Sequence, residues 1–223
     1  MERLELEQKI LELGHAREEG EIEKAIDGYI QLLPEAKKHW YSQVPEMIGV
    51  CYRMLDRPAE ALPFAERSVH WAHEAQDKEQ EANCRRDLGG IYNQLNRLDE
   101  AEAEYEKSLE LLWENVESKI NAVAGTLSSM AKLKAKKGSH EDAIKLGRHA
   151  IDLTALSTDL SPNDAGQHYL FCIHLAEIYI QAGQPKKARD LATDALEGTT
   201  KLGQTVRAKR AQKVIDDLNT SSS

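Results

Sequence analysis

The sequence predicts an all-α chain folded as a solenoid of antiparallel helix hairpins with a C-terminal capping helix. Three observations carry this. Glycine and proline are sparse, 13 and 6 in 223 residues, and aromatics make up only 5%. The abundant Ala, Leu, Glu and Lys favour helix, because they lose little freedom there. One helical pattern recurs along the chain, and self-similarity at a regular interval points to a repeat architecture.

The pattern is a large apolar residue followed by a small one, then an aromatic or aliphatic residue three further on. A short break and a second helix with Ala in its first turn follow. In order along the chain, the hairpin at about 6–40 carries the loosest copy: Leu13, Ala16, Gly20, Ile22, Ala25, Tyr29 and Leu32-Leu33. The hairpin at about 42–77 has Ile48-Gly49, Tyr52, Asp56, Pro58, Ala61, Ala65 and Ser68-Val69. The clearest copy, at about 82–118, has Leu88-Gly89, Tyr92, Asn96, Leu98, Ala101, Tyr105 and Ser108-Leu109. The hairpin at about 120–157 has Met130-Ala131, Gly138, Ala143, Gly147 and Ala150-Ile151. The last, at about 165–201, has Leu175-Ala176, Tyr179, Gly183, Pro185, Ala188, Ala192 and Ala195-Leu196, after an expected loop over 157–164. Val206, Ile215 and Leu218 interleaved with Arg207, Lys209, Arg210 and Lys213 predict an amphipathic helix at about 204–218 that covers the end of the stack. The tail 219–223 is expected to fray, and residues 1–218 form one solenoid domain.

Each recurring residue has a physical task. Gly49, Gly89, Ala131 and Ala176 let the two helices of a hairpin approach, and the alanines opposite do the same from the other side. Tyr52, Tyr92 and Tyr179 fill the space above that contact. Gly20, Gly138 and Gly183 end their first helices, where a left-handed residue is often needed.

The arrangement resembles the tetratricopeptide repeat over roughly residues 6 to 200. That resemblance implies a right-handed superhelix. The aligned alanines, Ala25, Ala61, Ala101, Ala143 and Ala188, are spaced more widely than the usual repeat of about 34 residues. The added residues follow the second helices, as in His70-Trp71-Ala72-His73 and Leu111-Leu112-Trp113-Glu114. Long repeats of this kind are similar to those of kinesin light chain and of the polarity adaptors that bind G-protein subunits.

The net charge of −9 argues against broad nucleic-acid binding and against anionic membrane. The N-terminal MERLELEQKI lacks the apolar core of a signal peptide, and no apolar run reaches the about 18 residues of a membrane span. Cys51, Cys84 and Cys172 form no CxxC pair and read as small buried hydrophobes, which fits a reducing, cytoplasmic setting. His70 and His73 stand three apart, but no HExxH motif or third metal ligand accompanies them. Ser128, Ser129 and Ser139 lack a GxSxG context, and Lys136-Lys137-Gly138-Ser139 lacks the upstream glycine of a phosphate loop. No catalytic set, cofactor or metal is therefore expected.

The resemblance implies that first helices line a concave groove. In register, the groove takes Glu46 and Arg53 from the second hairpin, Asn83, Arg86, Asn93 and Gln94 from the third, Lys132 and Lys136 from the fourth, and Glu177 from the fifth. Arg53, Arg86, Lys132 and Lys136 predict a basic middle, and the amides offer donors and acceptors to a peptide backbone. The expected function is a non-catalytic adaptor or scaffold that holds a protein or peptide partner with acidic groups. Two alternatives are a peptide-sensing regulator and a structural subunit of a larger assembly, the latter favoured if two or more of Trp40, Trp71 and Trp113 are exposed as one apolar patch. Some relatives grip acidic chaperone tails with a Lys/Asn and Lys/Arg clamp. The matching positions here, Glu46 with Val50, Arg86 with Gly90 and Ser128 with Lys132, break that pattern.

Overall fold

The computed structural model describes residues 3–113, 119–155 and 162–220, and eleven helices are found among them. They are α1 (Arg3–Glu18), α2 (Ile22–Lys38), α3 (Gln43–Met54), α4 (Pro58–Glu74), α5 (Lys78–Gln94), α6 (Leu98–Leu112), α7 (Ile120–Lys136), α8 (His140–Ala155), α9 (Pro162–Gln181), α10 (Pro185–Lys201) and α11 (Thr205–Thr220). No strand occurs among the described residues. The chain divides into two compact units, Met1–Glu114 with α1 to α6 and Asn115–Ser223 with α7 to α11. Within each unit, helices consecutive in sequence pack on one another. In the second unit α7 also packs on α9, and α11 rests on both α9 and α10.

The breaks follow from backbone geometry. Every first helix ends on a residue with positive φ: Gly20, Asp56, Asn96, Gly138 and Gly183. In each case the following N–H reaches the carbonyl five residues back. These bonds are Glu21 to Ala16, Arg57 to Tyr52, Arg97 to Tyr92, Ser139 to Lys134 and Gln184 to Tyr179, at 2.8–2.9 Å. This left-handed closure satisfies carbonyls that the helix end would otherwise leave open. Glycine adopts it freely, and Asp and Asn tolerate it because their short side chains bond locally. Trp40 and Gln76 take the same conformation between hairpins. Trp40 is held there by edge contacts to His70 and Trp71, with ring centroids 5.8 and 6.5 Å apart.

The aligned alanines Ala25, Ala61, Ala101, Ala143 and Ala188 are all fully buried. Ala61 and Ala101 meet the glycine of the facing helix, whose size is matched to a partner one turn beyond the alanine. Gly89 faces Tyr105, and a Cβ on Gly89 would lie 2.7 Å from the Tyr105 ring and 3.1 Å from the Ala101 carbonyl. A Cβ on Gly49 would meet nothing nearer than the Ala61 carbonyl at 3.7 Å, because Ala65 stands where hairpin three has Tyr105. In the second unit a Cβ on Gly147 would meet the Leu175 side chain of α9, at 2.9 Å. Bulk on one helix is balanced by its lack on the other, as close packing requires.

Three boundaries differ from those expected from the sequence. Helix α5 opens at Lys78, ahead of the repeat pattern, because the Asp77 side chain accepts the Gln80 N–H at 3.0 Å and caps it. The expected loop over 157–164 lies mostly outside the described residues, but Pro162 already opens α9. Helix α11 runs to Thr220, so the first two residues of the expected tail are helical; residues 221–223 lie outside the described set. No helix among the described residues is long and apolar enough to cross a membrane.

Candidate functional site

In the first unit, the predicted residues lie on α3 and α5. A helix brings positions three, four and seven apart onto one face. Glu46, Val50 and Arg53 therefore share a face of α3, and Gln80, Asn83, Asp87 and Gly90 share one of α5. Gln80 Nε2 donates to Glu46 Oε2 at 2.6 Å. Burial, reinforced by the negative charge of Asp87, pushes the Glu46 carboxyl up to about 7, against the opposing pull of Gln80 and Arg86. Arg86 Nη1 donates to Asn83 Oδ1 at 3.0 Å. The Asp87 carboxylate stands 3.8 Å from Arg53 Nη1 and 3.6 Å from Arg86 Nε. The Arg53 guanidinium lies over Gly90, so closely that a Cβ there would touch it at 3.6 Å. Arg53 Nε is buried without a hydrogen-bond partner among the described residues. Asn93 hydrogen-bonds the Tyr105 hydroxyl beneath this face, and burial pushes that phenol up to about 12. Gln94 is exposed at the end of α5.

Structure thus joins Glu46, Arg53, Asn83 and Arg86 into one polar network, through two residues the sequence reading left out, Gln80 and Asp87. The expected basic character of Arg53 and Arg86 is offset by Asp87 between them. The available signal was helical spacing, since Asp87 lies one turn from Asn83 and two from Gln80.

In the second unit, Lys132 is half-buried on α7, Lys136 exposed at its end, and Glu177 half-buried on α9. Glu177 accepts two bonds from Arg210 of α11, at 3.0 and 2.8 Å, a bidentate geometry that fixes both side chains. Close by, Ser128 Oγ and His174 Nδ1 are 2.9 Å apart in a buried pair. Burial, with the positive charges of Lys132 and Arg210, drives the His174 imidazole well below its ordinary 6.5 and keeps it neutral. A Ser–His contact is the beginning of a nucleophile–base pair, but these two are only 3% and 8% exposed, so no substrate reaches them from solvent. Between α9 and α11 runs a groove of about 470 Å³, lined by Glu177, Ile180, Gln181, Arg210, Lys213, Val214 and Asp217.

The remaining candidates have structural partners. His73 Nδ1 lies 3.1 Å from Glu81, and His70 Nδ1 lies 3.9 Å from Glu74. Among the described residues no group of three or more His, Cys, Asp or Glu could hold a metal. All three cysteines are free and buried. Burial raises their thiols, that of Cys172 to about 12, which removes thiolate reactivity. Trp71 is buried, Trp40 packs on it, and Trp113 is exposed, so the three tryptophans form no single surface patch.

These features define a helical-hairpin repeat protein with polar first-helix faces. Two family models described as tetratricopeptide repeat match it, at residues 40–112 and 170–192, and the chain accordingly carries tetratricopeptide repeats. Solved structures share the fold at low identity. BtubC (BKLC) from P. vanneervenii is 20% identical with a TM-score of 0.70, over 88% of this chain and 80% of that one. A putative kinesin light chain from Podosopora anserina with nearly identical TPR-like repeats is 15% identical with a TM-score of 0.68, over 92% and 99%. The Rap conjugation gene regulator of the plasmid pLS20, in complex with the Phr* peptide, is 16% identical with a TM-score of 0.74. That match covers 92% of this chain, which spans just over half, 56%, of the Rap chain. No curated protein matches in sequence.

Proposed function

We propose that this chain is a non-catalytic interaction module that holds a peptide segment of a partner on its first-helix faces, chiefly that of the first unit. The observation that carries the reading is the network of Glu46, Gln80, Asn83, Arg86, Asp87 and Arg53. Its side chains hold one another in place before any ligand arrives, which lowers the ordering cost of binding. It offers amide, carboxyl and guanidinium groups side by side, the mixture that reads a peptide backbone together with one or two polar side chains. Because Asp87 already balances two arginines, the face suits a peptide of mixed charge better than a strongly acidic one. The fold shared with the Rap regulator, solved in complex with the Phr* peptide, supports a peptide as ligand. Lys132, Lys136 and Glu177 belong to the corresponding face of the second unit.

Selection of displayed peptides against the full chain tests this. Selected peptides should bind Asn83→Ala and Arg86→Glu at least about tenfold more weakly, the loss of one charged or amide contact. Lys132→Glu separates the contribution of the second unit. Peptides that bind all three variants as well as the parent chain would sink the proposed site.

A further inference from the structure

On the first-helix face of the first unit, two carboxyl groups compete for two guanidinium groups, and the outcome is unequal. Asp87 takes both: its carboxylate stands 3.8 Å from Arg53 Nη1 and 3.6 Å from Arg86 Nε. Glu46 receives an amide instead, the bond of 2.6 Å from Gln80 Nε2. Among the described residues no cation lies within 4.0 Å of the Glu46 carboxyl. A carboxyl group taken out of water without a cation is more stable with its proton than as a carboxylate. Burial, with the charge of Asp87, accordingly raises Glu46 from 4.5 to about 7, against the pull of Gln80 and Arg86.

The charged and titratable groups that face Glu46 come from α5: Asp87, Arg86 and the Cys84 thiol, which burial and Glu46 push up and hold neutral. From α4, the Ser68 hydroxyl bonds that thiol. From α2, the Tyr29 phenol interacts with Cys51 and is raised by burial. From α1, Arg17 reaches the Met47 sulfur at 3.3 Å and is 3.8 Å from Glu18, which offsets its charge. The proton on Glu46 therefore changes the charge of the face by one unit. With it, Arg53 and Arg86 stand against Asp87 alone and leave one net positive charge; without it, the four groups cancel. Both arginine side chains remain partly open, at 32% and 25% exposure, so a ligand on the face meets that difference.

We infer that Glu46 is a proton-operated selector on this face: with its proton in place the face favours a peptide segment carrying one carboxylate, and without it that preference is lost. This rests on the reading of the face as a peptide site. The coupling runs both ways, because a bound carboxylate makes ionisation of Glu46 harder, so that binding takes up a proton.

The full chain, isotope-labelled, is titrated by NMR at about pH 6 and about pH 8 with N-acetyl-aspartate N-methylamide, whose carboxyl is ionised at both. Neutral N-acetyl-asparagine N-methylamide is the control, and shifts at the Asn83 and Arg86 side chains report binding. The aspartate probe should bind roughly fivefold more tightly at the lower pH, the effect of one unit charge across a partly buried face. The asparagine probe should bind equally at both. In Glu46→Gln the aspartate probe should bind at the higher pH as tightly as at the lower. In the parent chain, saturating aspartate probe should move the Glu46 carboxyl-carbon titration to higher pH by the same factor in proton concentration, whether or not the variant folds normally. Binding without pH preference in the parent chain, a preference that persists in Glu46→Gln, or an unmoved Glu46 titration overturns the selector and leaves the face standing as a peptide site. No shift at Asn83 or Arg86 with either probe at either pH overturns both.

Discussion

The two units share one hairpin pattern, yet they place opposite chemistry at matching positions. Asp87 on α5 and His174 on α9 stand at the same distance before the left-handed residues Asn96 and Gly183. In the first unit that position holds a carboxylate that balances Arg53 and Arg86 and adds its charge to the burial that pushes the Glu46 carboxyl up to about 7. In the second it holds a buried imidazole kept neutral beside Lys132 and Arg210. Size is traded in the same way: glycine against tyrosine at Gly89 and Tyr105, glycine against leucine at Gly147 and Leu175. The hairpin scaffold fixes backbone positions and small contacts. Within that frame, each unit solves its own packing and charge balance.

The largest test of this contrast concerns size. Gly89→Ala drives a methyl into the Tyr105 ring and should cost about 2–3 kcal/mol, the scale of overpacking a tight core. Tyr105→Ala is destabilising alone but should recover most of the Gly89→Ala loss in a double-mutant cycle by denaturant unfolding. Simple additivity would break the size-exchange argument.

Charge comes next. Asp87→Ala leaves Arg53 and Arg86 facing each other without their shared carboxylate and should cost about 1–2 kcal/mol. It also removes one of the two causes that raise Glu46, whose carboxyl should then titrate nearer its ordinary range. A carboxyl-carbon NMR titration reads that shift directly, and an unchanged Glu46 would contradict it.

The pH dependence of the two units should have opposite sign. Glu46 is raised from 4.5 to about 7 in the folded chain, so its contribution is complete below pH 4.5 and is lost as pH rises through about 7. His174 is lowered below 6.5, so its contribution is complete above pH 6.5 and is lost as pH falls below that value. Melting temperature against pH should therefore flatten between pH 4.5 and 7 in Glu46→Gln, and on the acid side of 6.5 in His174→Gln. The same slope change in both variants would erase the contrast.

The smallest effect is expected at Gly49. An added methyl there meets only ordinary contacts, and alanine is the better helix former by about 1 kcal/mol. Gly49→Ala should raise stability by up to that amount. Its difference in sign from Gly89→Ala, at the same repeat position, shows how far one neighbouring side chain decides the outcome.

The sequence by itself determined the hairpins. Turn residues that tolerate left-handed backbone and alanines that sit in helix–helix contacts are local demands, legible wherever the pattern recurs. It also placed Glu46, Arg53, Asn83 and Arg86 on facing first helices. Which of those charges remain available could not be read in the same way. Asp87 looked like an ordinary polar helix residue, and its reach to Arg53 on α3 depends on how closely two helices pack. Likewise the hydrogen bond from Arg148 to the Tyr179 hydroxyl joins α8 to α9 across 31 positions of sequence. Periodicity reports which face of a helix a residue occupies. Only the tertiary structure decides what it meets there, because side-chain pairing across helices falls off over a few ångströms and each unit sets those distances by its own packing.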